Sequence, residues 1–217
     1  MPRFTLGRWL WFNSAGISRC TKVIELSVLD IVEIGHPVLR QVAEEVPVGE
    51  IGTAEVQQLI DDLIDTKRHA KGAGIAANQV DDTRRIFIAE ALPNPRYPFR
   101  PEYPLTVLIN PVLTFLTEER FDNFEGCLSI PNLRAVVPRC PRIRVQGVDR
   151  SGQTLDFEVS GVSAGIFQHE ADHLDGIMYT DRIENPATLC TAGEFDRRYV
   201  DQFKAGVLEV EARFAQS

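Results

Sequence analysis

Histidine is scarce in this sequence: four residues in 217, namely His36, His69, His169 and His173. Cysteine is no commoner. Cys20, Cys127, Cys140 and Cys190 are irregularly spaced and form no C-x-x-C pair, so a disulfide framework is not expected in a chain of this size. That pattern suits a reducing compartment, with at most one cysteine engaged in chemistry. No apolar run approaches the length needed to cross a bilayer. Basic residues do not predominate either. A net charge of -8 argues against general affinity for nucleic acid or for an anionic membrane. What remains is ordinary globular composition, 44% hydrophobic and 25% charged, in a chain long enough to bury one core.

The first 24 residues stand apart. They carry Arg3, Arg8, Arg19 and Lys22 with no acid before Glu25. They read as a plain N-terminal tail or as an organelle transit peptide, and the tail is preferred. Residues 1–26 are therefore taken as an extension, and 27–217 as the working domain.

Farther along, Val56, Leu59, Ile60, Leu63 and Ile64 repeat at helical spacing after Thr53, a candidate N-cap, and before Gly72. "RRIFIAE" (84–90) reads as a strand. The proline-rich 91–104 reads as a loop and a mobile insertion. "TVLINPVLTFL" is strand-like but broken by Pro111, which suggests a sheet edge or a break. "RIRVQGVDRSGQTLDFEV" has the alternation and central turn of a hairpin. A helix follows over "SGVSAGIFQHEADHLDG", and a last helix is expected over roughly 194–213 with Phe195, Phe203 and Val210 inward. Strands precede the key helix without a βαβ rhythm, so the class is α+β.

Two of the four histidines fall in "QHEADH" (168–173). Residues four apart stack on one side of a helix, so His169 and His173 can offer two imidazole nitrogens to one cation. Glu170 lies beside that face, within reach of a water there. This is the physical content of H-E-x-x-H: two ligands and a general base in one turn. Val162 and Ile166 share the face. A catalytic site of this kind needs a third protein ligand and an open position. Position 179 is Tyr, so the longer metalloprotease pattern is absent. Glu194 downstream and Cys127 upstream, in "EGCLSIP" (125–131), both remain candidates. A thiolate is a strong ligand for a borderline or soft metal. The stretch "GAGIAANQV" (72–80) adds small residues that let a ligand or strand approach the backbone, followed by Asn78 and Gln79.

Together, "GAGIAANQ", "EGCLS" and "QHEADH" resemble the three signature motifs of the peptide deformylase family, in that family's order. "IVEIGHPVLRQVAEEV", "LSIPNLRAVVPR", "VDRSGQ" and "HLDGIMY" extend the resemblance over about residues 27–185. The resemblance implies a compact single α+β domain, with a central metal-binding helix among antiparallel sheets and a C-terminal helix. It implies removal of the formyl group from the N-terminal methionine of new proteins. Cys127, His169 and His173 would hold one divalent metal, Fe2+ foremost with Zn2+ or Ni2+ able to replace it, and water would be the fourth ligand. Glu170 would be the base and then the acid. Gln79 and the Leu128 N–H would face the oxyanion. Substrate would pair with Ala73–Gly74 and Gly126, and its methionine would enter a pocket walled by Val162, Ile166 and the stem of Arg134. Asp172 is expected to pair with Arg139. Ala73 departs from the larger aliphatic residue usual at that position, which opens the pocket rim.

The implied partners are formyl-methionyl nascent peptides and, through the C-terminal helix, the ribosome, with no nucleic-acid specificity and no membrane. The implied location is the bacterial cytoplasm, or a mitochondrion or plastid if residues 1–24 are a transit peptide. Two rival readings remain: an endopeptidase using Glu194 as third ligand, and a silent peptide-binding relative.

Overall fold

A computed structural model describes residues 28–214. The N-terminal extension expected at residues 1–26 lies outside the described residues. The elements in chain order are α1 (Ala54–His69), β1 (Gly74–Ala76), β2 (Ile86–Ala91), β3 (Tyr103–Phe115), β4 (Phe121–Cys127), β5 (Ile130–Arg139), β6 (Arg142–Val148), β7 (Thr154–Ser160), α2 (Val162–Leu174), β8 (Cys190–Thr191), α3 (Ala192–Arg198) and α4 (Val200–Phe214). No helix among the described residues is long and apolar enough to cross a membrane.

Two antiparallel sheets result: five strands in the order β1-β2-β3-β6-β7, and three in the order β4-β5-β8. The larger sheet is packed on both faces, and the alternation of its side chains shows how. Ile75, Ile86, Ile88, Val107 and Ile109 join the buried face of α1. Ala76, Phe87, Ala89 and Leu108 point the other way, onto Ala164, Phe167 and Leu174 of α2. A strand places successive residues on opposite faces, so unbroken apolar runs such as "IFIA" are what a doubly covered sheet requires. Each large side chain so buried contributes roughly 1.5–3 kcal/mol. The histidine-bearing helix is thus pressed against a rigid sheet, with the small sheet completing its surroundings.

Helix α1 begins where expected. The Thr53 hydroxyl accepts from the Val56 N–H, and Lys67, Arg68 and His69 occupy the last turn. Two expectations need correction, and for Pro111 the structure decides between the two alternatives: it marks a break, not a sheet edge. It sits inside β3, between the stretch paired with β2 and the stretch paired with β6, at a register shift between Ile109 and Val112. There the missing N–H costs no ladder bond. The single C-terminal helix is two helices meeting at Tyr199, whose ring stacks on Phe124 at 5.8 Å. Phe195, Phe203 and Val210 are buried as expected. The proline-rich loop is pinned rather than free. Tyr97 is buried and packs edge-on against Phe195 and Phe203, its hydroxyl donates to Asp196, and Phe99 meets Phe203 at 5.6 Å.

Candidate active site

Three segments converge on the site. The first is the turn between β4 and β5. Cys127 ends β4 and pairs with Ile130, so Leu128 and Ser129 form a tight corner. The register shifts between Glu125 and Cys127, which takes Gly126 out of the ladder. Bulges of this kind re-aim side chains beside active sites. The second segment is α2, where His169 and His173 lie one turn apart with ring centroids 5.0 Å from each other. The third is β1 with the turn after it, which brings up Gln79.

The ligand atoms of Cys127, His169 and His173 all lie within 4.8 Å of one another, and all three residues are buried. Cys127 Sγ stands 3.1 Å from His173 Nε2. His169 turns Nδ1 to Glu125 Oε2 at 2.9 Å. Giving that N–H to a carboxylate leaves Nε2 as the lone-pair donor, the arrangement that metal-binding histidines favour. Glu194 is not in this group: it sits half-exposed on α3, paired with Arg197 and Arg198. The third donor beside the histidines is the thiol.

Charge explains the rest. Burial opposes charge on His169, yet the hydrogen bonds it makes to Cys127 and Glu125 outweigh it and raise its pKa well above the ordinary value. Burial, then the charge on His169, press His173 well below. A soft thiolate beside two imidazoles is a donor set suited to a divalent cation, and a cation would relieve this strained arrangement of protons. His173 Nδ1 and Glu170 Oε2 are buried without a hydrogen-bond partner among the described residues. The donors therefore fit a metal ion, and Glu170 keeps one oxygen free for a reacting molecule. Burial raises the Glu170 pKa to about 7. A carboxyl group so poised can accept a proton and return it.

Glu170 packs directly on β1. A Cβ placed on Gly74 would meet Glu170 Cγ at 2.7 Å, so glycine is what admits the carboxylate. β1 is the outer strand of its sheet, and among the described residues no strand pairs with its second edge. The Ala73 carbonyl accepts from the Glu90 N–H, extending the β1–β2 pairing. Gln79 is locked by its own Oε1, which accepts from the Ala76 N–H at 2.9 Å. Its Nε2 points to Ser129 Oγ at 3.1 Å and Cys127 Sγ at 3.5 Å. Leu128 follows Cys127 in the corner, and its side chain covers Gly72.

The pocket residues divide. Ile166 belongs to the cluster that includes Ala73. Arg134 lies across Gly126, its Cδ 3.0 Å from where a Cβ would stand. Val162 opens α2 and is buried with Tyr97, Phe121, Phe203 and Val207 beneath α4, in a different cluster from Ile166. Sharing a helical stripe with the histidines did not place it beside them, because α4 covers that first turn.

Asp172 pairs with Arg139 at 2.6 Å, and Arg139 clamps Glu125 through 2.7 and 2.9 Å bonds. Arg182 also reaches Asp172. The chain His169–Glu125–Arg139–Asp172 is continuous and buried. Glu125 is the member that sequence reasoning passed over. Its signal was alternation, since positions 125 and 127 of one strand point to one face. Arg139 holds the Glu125 pKa down at about 2 against the opposing effect of burial.

A family model described as polypeptide deformylase matches residues 28–188. The chain belongs to this family. It is 44% identical over 168 residues to peptide deformylase 2 of Nostoc, a match covering 77% of this chain and 93% of that protein. It is 45% identical over 155 residues to peptide deformylase 1 of Nitrosomonas europaea, covering 71% and 87%. Among solved structures, it is similar to the class I type b peptide deformylase of Acinetobacter baumannii with Met-Ala-Ser bound. That match has a TM-score of 0.71 and 35% identity over 73% of this chain and 99% of the other. The Thermotoga maritima peptide deformylase matches at a TM-score of 0.64 and 31% identity, covering 73% of this chain and 99% of that one. The family is one of hydrolases that free new peptides of their N-formyl group, and it depends on a metal.

Proposed function

We propose that this chain removes the N-formyl group from the terminal methionine of nascent proteins with Cys127, His169 and His173 as ligands to one Fe2+. The observation that carries the reading is the convergence of those three donors beside a buried carboxylate oxygen with no partner. Bound there, the cation supplies Lewis acidity to a water and to the formyl carbonyl. A formyl-methionyl chain adds itself as a strand to the free edge of β1 at Ala73–Gly74, with Gly126 on its other side. Glu170 takes a proton from the attacking water on its unpaired oxygen. The formyl oxygen gains negative charge, and the Gln79 amide and the Leu128 N–H donate to it. Removing one such donor typically raises the barrier by about 3 kcal/mol. Glu170 then hands its proton to the departing amine, leaving formate and a free methionine terminus. Ile166 and the stem of Arg134 wall the methionine pocket, and Ala73 widens its rim. The bacterial relatives support a reading in which this work is done on nascent chains in a bacterial cytoplasm.

The test is formate release from formyl-Met-Ala-Ser by anaerobically iron-loaded protein, with metal measured on the same sample. One metal per chain together with formate is expected. Metal without formate would favour a silent peptide-binding relative, and cleavage of internal peptide bonds would favour an endopeptidase.

A further inference from the structure

The loop 92–102 carries a second arginine, Arg100, onto aromatic rings that pack against β4, the strand whose Gly126 is covered by Arg134. Its fixing is elaborate for a surface connection. Tyr97 and Phe99 pack among Phe195 and Phe203, Tyr97 is tied to Asp196, and the Arg100 N–H donates to the Tyr97 carbonyl. The Arg100 guanidinium is held over the Phe203 ring, 5.8 Å from its centroid. Phe203 in turn meets Phe124, two residues before Gly126 in β4. From β5, the Arg134 guanidinium covers Gly126 itself, its Cζ 2.5 Å from a Cβ built there.

Both cations lack a carboxylate. Among the described residues, neither Arg100 nor Arg134 forms an ion pair. Glu125 is the acid near Arg100, and it is taken up by Arg139 and His169. Burial first, and the charge of Arg134 second, press the Arg100 guanidinium below its ordinary pKa. Two half-buried guanidinium groups that repel each other without a counter-ion are costly in isolation. They are economical where an anion is brought to them, because each offers a planar fork of donors that suits a carboxylate.

We infer that Arg100 and Arg134 form a carboxylate-binding subsite at the mouth of the peptide groove, favouring formyl-methionyl chains that carry an acidic group close behind the methionine. The inference rests on the deformylase reading and sharpens its substrate class. The carboxylate has two sources: an acidic side chain in a growing protein, or the C-terminus of a short peptide.

Three peptides separate them: formyl-Met-Ala-Ser as free acid, the same peptide as its C-terminal amide, and formyl-Met-Ala-Glu amide. One charge-assisted pair at a part-exposed site predicts kcat/KM about tenfold higher for an acidic peptide than for the neutral amide. High salt should shrink the ratio. Preference for the free acid alone assigns the end group, and preference for the glutamate peptide assigns the side chain. Arg100→Ala should bring the acidic-to-neutral ratio toward unity, while Arg100→Lys keeps part of it. Thermal melting of each variant checks its fold. Equal kcat/KM on all three peptides overturns the subsite, as does a folded Arg100→Ala that keeps the full preference. Formate from none of them would overturn the deformylase reading itself, and the inference with it.

Discussion

A side-chain carbon on Gly74 would stand 2.6 Å from the carboxyl carbon of Glu170, well inside nonbonded contact. The strand that would receive substrate and the residue that would move the proton are therefore fitted to each other. Gly74→Ala must push the carboxylate aside. Misplacement of a catalytic group by about 1 Å can cost ~10²-fold. We expect kcat to fall by about that factor while bound metal, measured on the same sample, stays at the wild-type level.

Glu170 has the opposite signature to its neighbours in sequence. It touches no ligand atom by hydrogen bond, and one oxygen is unpaired. Glu170→Ala should retain metal yet lose turnover by roughly 10²–10⁴-fold, the usual weight of a general acid–base. Cys127→Ala should instead lose the metal. Loss of metal from Glu170→Ala would make that residue a ligand or a structural element.

Glu125 orients His169 while itself clamped by Arg139. Glu125→Gln keeps the shape but removes the charge. Changing the hydrogen-bond partner of a metal-binding histidine typically costs about 10–100-fold in metal affinity, and that loss is expected in competition with a chelator. Glu125→Ala should also destabilise the fold, because Arg139 would be left buried with only Asp172. An unchanged metal affinity in a folded Glu125→Gln would mean that His169 is oriented by its helix alone.

Much of this site could be read from the sequence, for a physical reason. His169 and His173 are set on one face by helix geometry, and Thr53 caps α1 by local hydrogen bonding. Such features depend on near neighbours in the chain. What was not legible depends on distant ones. Val162 lies on the histidine stripe, but only the position of α4 decides that it faces aromatic rings. No glycine or proline marks the break at Tyr199. Its cause is a ring stacked on Phe124, some 75 positions away in sequence. Pro111 fitted an edge or a break equally, because sequence alone does not show that β3 changes partners at that point. Tyr97 and Phe99 looked like loop residues until α3 and α4 were seen to cover them.

Beneath the substrate edge lies a buried cation. Lys67, fully shielded at the end of α1, reaches Glu90 Oε2 at 2.8 Å and the carbonyls of Gly72 and Glu90 at 3.4 and 3.3 Å. Arg68 adds a forked pair to the same carboxylate. The Arg68 hydrogen bonds, aided by Lys67 and opposed by burial, hold the Glu90 pKa at about 2 against an ordinary 4.5. A carboxyl group whose pKa is lower folded than unfolded stabilises the fold above its unfolded value. That stability is lost as pH falls through the folded one. The contribution from Glu90 should be whole above about pH 4.5 and vanish toward pH 2, on the order of 3 kcal/mol in all. Glu90→Gln should therefore lower the melting temperature at neutral pH and flatten its dependence between those two values. Because the Glu90 N–H also holds the Ala73 carbonyl through the backbone, the variant should keep β1 paired and bind substrate better than Lys67→Met, which removes the support under Gly72. A melting curve for Glu90→Gln with the same slope as wild type across that interval would show that the carboxylate is not held low by its two cations.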